Sequence, residues 1–244
     1  MKNETERRNL FGFPQTRWSL LEKAKESEAA RNLLFKLYYK PVYAFFQWLA
    51  RDADIAEDLT QDFFSKEWQF RTEDEKGVVN RADSNKGKFR DFLTEALRNR
   101  WRSKIAEINR RRSQTTRPIN DDAWDRLSIP RIKHAEQIFR KTQAQTIVQE
   151  ALEQTKTICV ARGKQQNFDL FLSRYLANSN TADDWESIGE RFGLADGKTA
   201  RNIADMAARH FERILRELVR TLDPASNVGD GIRDLLSDLG EDDE

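Results

Sequence analysis

The sequence predicts an all-α protein of two helical domains joined by a basic linker, the second domain ending in a helix-turn-helix. Three observations predict it. Apolar residues recur at three- and four-residue steps along most of the 244-residue chain, the spacing that lines one face of a helix. No stretch alternates apolar and polar residues as a half-buried strand does. An arginine run with prolines at Pro118 and Pro130 separates two periodic halves.

Taken in order, Leu33, Leu34, Leu37, Tyr38, Val42, Phe45, Phe46 and Leu49 mark a first helical stretch, which Pro41 kinks or restarts. Ile55, Leu59, Phe63 and Phe64 mark a short helix beginning near Asp54. Thr72 to Lys86 is polar, with Gly77 and Gly87 as punctuation, and reads as a loop. Phe89, Phe92, Leu93, Ala96, Leu97 and Trp101 form the next apolar stripe. Beyond the linker, Ile138, Ile147, Val148, Ala151, Leu152 and Ile158 resume helical spacing. Phe168, Phe171, Leu172, Tyr175 and Leu176 mark a shorter segment, broken at Asn178-Ser179-Asn180-Thr181. A last pair spans Asp183 to Phe192 and Gly197 to Leu222. The domains are expected at 12–112 and 135–222, with the linker at 113–134 and an acidic tail at 223–244 that frays.

Composition narrows the function. Hydrophobic residues make up 38% and charged residues 34%, which argues against one deep core. A lone cysteine, Cys159, excludes a disulfide framework and a cysteine-rich zinc site. His134 and His210 are far apart, which argues against a histidine-based metal site; no metal and no cofactor are expected. No apolar run approaches the roughly 20 residues of a membrane helix. The first eight residues lack an apolar signal core, and the expected location is the cytosol.

The net charge of +1 averages over opposed blocks. Lys86 to Arg117 holds eleven basic and three acidic residues, net +8; Asp223 to Glu244 holds one basic and eight acidic, net −7. That pattern suggests a polyanionic partner and a separate acidic surface. The tail is also charge-complementary to the basic surfaces and able to fold back on them.

Three constellations carry the functional reading. In the final helix pair, Trp185, Ile188 and Phe192 share a face, Thr181 is a candidate cap with Asp184 three residues on, Gly193 suits a left-handed stop, and Asp196 suits the next cap. Ile203, Met206, Phe211, Ile214, Leu215 and Leu218 are expected inward, with Lys198, Arg201, Arg209 and Arg216 opposite. This is the pattern of a helix that offers its first side chains to a DNA major groove; the alternative is a hairpin with a solvated charged face. In the second, Arg98 and Arg102 project opposite Phe89, Leu93 and Ala96, with Asn99 and Trp101 at the edges. Basic side chains suit phosphates, and edge groups suit unstacked bases; the alternative makes Phe89 and Phe92 core residues and Arg110, Arg111 and Arg112 a solvated linker. In the third, Asp52, Asp54, Glu57, Asp58 and Asp62 crowd one short helix. Carboxylates at a helix start favour its dipole. With no histidine, glycine-rich loop or hydroxyl nucleophile beside them, they fit a docking surface for a basic partner better than catalysis, and no enzyme is expected.

The stretch Asp54-Ile55-Ala56-Glu57-Asp58-Leu59-Thr60-Gln61-Asp62-Phe63-Phe64 resembles the polymerase-binding helix of extracytoplasmic-function sigma factors of bacterial RNA polymerase. Gly87-Lys88-Phe89-Arg90-Asp91-Phe92-Leu93 followed by Leu97-Arg98-Asn99 resembles their promoter-melting segment, and Asp184 to Leu218 resembles their region four. The likeness runs from about Thr16 to Leu222. Thr16-Arg17-Trp18-Ser19-Leu20 and the tail bring it nearest the large planctomycete-type branch. Asp205, Ala207 and Ala208 stand where the family often has basic residues, and Glu67 to Gly87 is longer than usual.

The resemblance implies a promoter-specificity subunit. Asp54, Glu57, Asp58, Gln61, Asp62 and Phe63 would face the clamp helices of the largest subunit of core RNA polymerase. Lys88, Phe89 and Asn99 would lie near the flipped base of the single-stranded −10 element, with Arg90, Arg98, Arg100, Arg102 and Lys104 on the same DNA surface. Lys198, Thr199, Arg201, Asn202 and Arg209 would meet the duplex −35 element. The tether, Arg110 to Pro130, would thread toward the active-site channel. An anti-sigma factor or a kinase would be the regulator. The competing expectations are a stand-alone helix-turn-helix regulator that binds duplex DNA as a dimer, and a helical adaptor that binds only proteins.

Overall fold

The computed structural model describes Leu20, residues 23–24 and 27–68, Gly77, and residues 88–113, 129–175, 184–222 and 227–240. Among these residues are eight α-helices and no strand, as the spacing predicts. They are α1 (Glu28–Ala50), α2 (Ala53–Asp62), α3 (Phe89–Ser113), α4 (Ile129–Ala161), α5 (Gln165–Tyr175), α6 (Trp185–Arg191), α7 (Gly197–Leu222) and α8 (Val228–Gly240). A π-helical turn, Phe63–Glu67, continues α2. Residues 16–19 of the first motif, the Thr72–Lys86 loop apart from Gly77, Gly87, linker residues 114–128, Leu176, the 178–181 break and the last four acidic residues lie outside the described set.

Side chains set the first boundaries. Ser27 caps α1, accepting the Ala30 N–H at 3.4 Å. α1 does not restart at Pro41, which is buried within it. Proline removes one backbone hydrogen bond, but the helix continues through it, with the stripe on both sides, Leu34, Leu37, Tyr38, Val42, Phe45, Phe46 and Leu49, wholly buried. Arg51 closes α1 in the left-handed region at φ 52°, its N–H bonded to the Gln47 carbonyl at 3.0 Å. Asp52 then caps α2, accepting the Ile55 N–H at 3.0 Å.

α4 runs antiparallel to α1. At one end the Arg131 guanidinium donates to the Trp48 and Leu49 carbonyls, at 3.2 and 3.3 Å, and at the other Lys36 pairs with Glu150 and Glu153, at 2.5 and 2.6 Å. Residues 129–134, expected in the linker, are the first turns of α4. Pro130 fits there because a first-turn N–H has no helical partner in any case. Arg110 to Ser113 likewise continue α3 as helix.

The main core is continuous from Leu20 to Leu235, drawing on α1, α2, the π turn, α3, α4, the second half of α7 and α8. The lean composition argued against one deep core. The structure differs because a few large side chains concentrate there: Tyr38, Phe45, Phe46, Phe63, Trp101 and Phe139 are all buried. Two smaller clusters lie at the α5–α6 end, Cys159 with Phe168, Phe171 and Ala207, and Leu170 with Ile188, Ala200 and Ala204. α7 joins these regions, its alanines packing at the small clusters and Ile214, Leu218 and Val219 in the main core.

The tail, expected to fray, forms α8 from Val228 to Gly240. Leu235 and Asp238 are buried against the rest of the fold, which supplies the contacts that a 13-residue helix lacks alone. No helix among the described residues is long and apolar enough to cross a membrane.

Candidate functional site

α2 turns Ala56, Leu59 and Thr60 to the core, so Asp54, Asp58 and Gln61, spaced four and three residues apart, share its exposed side. Glu57 lies beside them, half-buried. Its Oε1 accepts from Gln61 Nε2 at 2.9 Å and from the Tyr39 hydroxyl at 2.8 Å, and these bonds hold its pKa below the usual carboxylate range. Asp62 bridges Lys66 at 2.8 Å and Arg100 at 2.6 Å. The Lys66 bond is the main cause that lowers its pKa.

Phe63, expected to meet the partner, is completely buried and fastens the helix to the core instead. An aromatic rim that the spacing does not disclose lies beside the face. Phe35, 44% exposed, packs 4.9 Å from Phe64 and 5.1 Å from Tyr39. Its signal is an aromatic residue one step after the buried Leu34 and two before the buried Leu37.

α3 directs Phe89, Leu93, Leu97, Trp101 and Ile105 into the core. Phe89 packs on Tyr38 at 5.3 Å and on Trp68 at 6.1 Å, so neither it nor Trp101, expected at an edge, is a surface platform. Phe92 is 38% exposed and is the aromatic that α3 offers to solvent.

The polar residues expected to act together divide over three sides of α3. Lys88 and Arg90, at its start, face α8: Lys88 pairs with Asp234, and Arg90 pairs with Asp238 at 2.8 Å. Arg98, Asn99 and Arg102 share a second side, where Arg98 pairs with Glu136 and with Glu95 (2.7 Å), and Arg102 donates to Asn99 at 3.1 Å. Arg100 and Lys104 share the third, next to Asp62.

At the other end of the molecule, α6 and α7 meet through a tight turn. The cap of α6 is Asp184, which accepts the Ser187 N–H at 2.8 Å; Thr181 lies outside the described residues. Gly193 takes φ +65°, as the left-handed stop requires. Asp196 caps α7, accepting the Thr199 N–H at 2.6 Å. These backbone bonds lower the pKa of both aspartates.

Gly197 is fixed by close approach, since a Cβ there would lie 2.7 Å from the Trp185 carbonyl carbon and 2.8 Å from the Glu186 nitrogen. Gly197→Ala is therefore expected to lower stability by about 1–3 kcal/mol, as overpacking does. Thermal unfolding with hydrogen exchange at α6 checks it, and unchanged protection there would contradict the close approach.

Lys198, Arg201, Asn202 and Arg209 are exposed on α7, and Thr199 is half-buried at its start. Met206, expected inward, is 37% exposed, because Ala204 and Ala207 take the inner positions. Asp205, Ala207 and Ala208 have packing roles. Ala207 is buried, with Ala208 packed at the same cluster, and Asp205 accepts the Tyr175 hydroxyl at 3.2 Å and lies 4.0 Å from Arg201. Arg162 and Lys164 come from the α4–α5 turn, outside any sequence pattern. Arg162 Nη1 is 3.3 Å from His210 Nε2, and the two residues join Arg209 and Arg213 around that ring. Burial first, then these cations, lower the pKa of His210. Only the fold brings residues 162 and 164 to 209 and 213.

Among the described residues no group of three or more histidine, cysteine or carboxylate side chains has the arrangement of a metal site. Comparison with protein-family models, with curated proteins and with solved structures finds no match for this chain.

Proposed function

We propose that this chain is a sigma factor of the extracytoplasmic-function type, a subunit that binds core RNA polymerase and directs it to one class of promoters. The observation that carries the reading is a two-sided device. An exposed carboxylate face on α2 is tied, through Asp62 and Arg100, to a helix rich in arginine and lysine. One side suits a basic protein surface and the other a nucleic acid. In this reading the segment 12–112 binds polymerase and holds the −10 strand. The segment 135–222 ends in a helix-turn-helix made of α6 and α7, which meets the −35 duplex.

Two modest DNA surfaces gain from effective concentration once polymerase carries both, so neither needs high affinity alone.

The test is transcription by core polymerase with and without the purified chain, together with co-purification of the two. Association and new, defined start sites are expected. A chain that ignores polymerase and binds a palindromic duplex as a stable dimer would instead be a stand-alone regulator. Within the sigma reading, Lys198→Ala and Arg201→Ala are each expected to weaken −35 recognition by about 1–3 kcal/mol if the side chain meets a base. Run-off transcription from promoters altered at −35 measures this, and unchanged promoter preference would remove both residues from the interface.

A further inference from the structure

We propose that α8 is a displaceable strap that covers the Lys88–Arg90 end of α3 and keeps single-stranded DNA from it. The inference rests on the sigma reading for its biological sense, but its contacts stand by themselves. Asp234 pairs with Lys88 and lies 3.6 Å from Arg90, while Asp238, 8% exposed, pairs with Arg90 at 2.8 Å. Two carboxylates thus occupy the positions that two backbone phosphates would take on the same cations.

The seat is built to release. Among the described residues Arg90 Nε is buried without a hydrogen-bond partner, so the carboxylates satisfy only part of the guanidinium. Leu235 is buried while its neighbour Leu236 is 59% exposed, and a cavity of about 60 Å³ remains between α8, Tyr38, Phe89 and Ile147. Gly231, inside the first turns of a 13-residue helix, weakens it by up to about 1 kcal/mol relative to alanine. Apolar contacts of Ile232, Leu235 and Leu239 hold part of the seat, and the ion pairs that hold the rest are loosened by salt and by a competing polyanion.

A surface that is open in a tenth of the molecules binds about tenfold more weakly than one always open. The test uses the full chain and a labelled 20-nucleotide single strand, read by fluorescence anisotropy without polymerase. Asp238→Asn removes one tie. Gly231→Leu keeps the charge but forces α8 away from α7, because even a Cβ at Gly231 would lie 2.5 Å from Val219 Cγ1. Both variants are expected to bind the strand about tenfold tighter. Asp230→Asn, with the same charge change on the exposed side of α8, is expected to match the parent. Adding Arg90→Ala to Gly231→Leu is expected to cancel the gain.

No gain in a folded Gly231→Leu chain overturns the strap. So does an equal gain in Asp230→Asn, or a gain that survives Arg90→Ala. If Gly231→Leu fails to fold, Asp238→Asn against Asp230→Asn decides alone. Association of the parent chain with core polymerase is measured separately. Its absence would end the sigma reading while leaving the strap result standing.

Discussion

Phe139→Ala is expected to destabilise the protein by about 3–5 kcal/mol, and to do so for both halves of the chain at once. Phe139 is completely buried on α4 and stacks 6.5 Å from Tyr38 of α1. α4 is also tied to α3 through the Arg98–Glu136 pair and through Arg140, 3.7 Å from Asp91. It packs against α7 and α8 as well. Truncating the ring leaves a cavity where these elements converge, and neighbouring side chains relax into it only partly. For a chain of this size the loss corresponds to a fall in Tm on the order of 10 °C. Calorimetry with hydrogen exchange resolved by helix tests the claim. One transition, with protection falling together in α1 and α7, is expected. Loss of protection confined to residues 135–222 would mean that the two segments fold independently.

That test bears on what the sequence could and could not disclose. The helical stripes were legible because burial on a helix repeats at a fixed step. Leu34, Leu37, Tyr38, Val42, Phe45 and Phe46 are buried as their spacing requires. The caps at Asp52 and Asp196 and the stop at Gly193 follow from local chemistry, and local chemistry is what a short window of sequence contains. Which stripe faces which is not local. Ile147 of α4 reads as helical, yet nothing in its spacing says that it joins the core around Tyr38. Two segments with separate stripes are therefore read as two domains, while the packing of one stripe on another lies beyond what the spacing shows.

The same limit divides the candidate site. The exposed side of α2 was legible, since Asp54, Asp58 and Gln61 lie on one helix. The basic set on α3 was legible as composition but not as a surface. Ion pairs with Asp62, Glu136, Asp234 and Asp238, residues from 38 to 148 positions away, distribute it over three sides. Phe63 and Phe89 illustrate the remaining ambiguity. An aromatic residue at the edge of an amphipathic stripe is a contact or a core residue depending on what packs over it, and here Tyr38 and Trp68 pack over Phe89.

Under the proposed sigma reading, Asp58→Arg is expected to weaken association with core polymerase about a hundredfold while leaving the fold intact. The two halves of that expectation have separate grounds. Structural duties on α2 belong to its other carboxylates. Asp52 caps the helix, Glu57 holds Tyr39, and Asp62 holds Lys66 and Arg100. Asp58 is exposed between Asp54 and Gln61, and a surface substitution free of such duties changes stability by about 0.5 kcal/mol or less. An unchanged Tm is therefore expected, which separates this variant from Asp62→Arg, where two ion pairs would be lost with the charge.

Binding is another matter. The substitution changes the charge by two units in the middle of the face, so attraction to a basic partner becomes repulsion where the surfaces meet. A loss on the order of a hundredfold in affinity is expected. Because the effect is electrostatic, the gap between parent and variant should narrow as salt is raised. Co-purification and a titration at two salt concentrations measure both. A folded Asp58→Arg chain that binds polymerase as the parent does would place the docking surface elsewhere. The exposed Phe35 and the half-buried Tyr39, which pack on the buried Phe64, would then be the face to alter next.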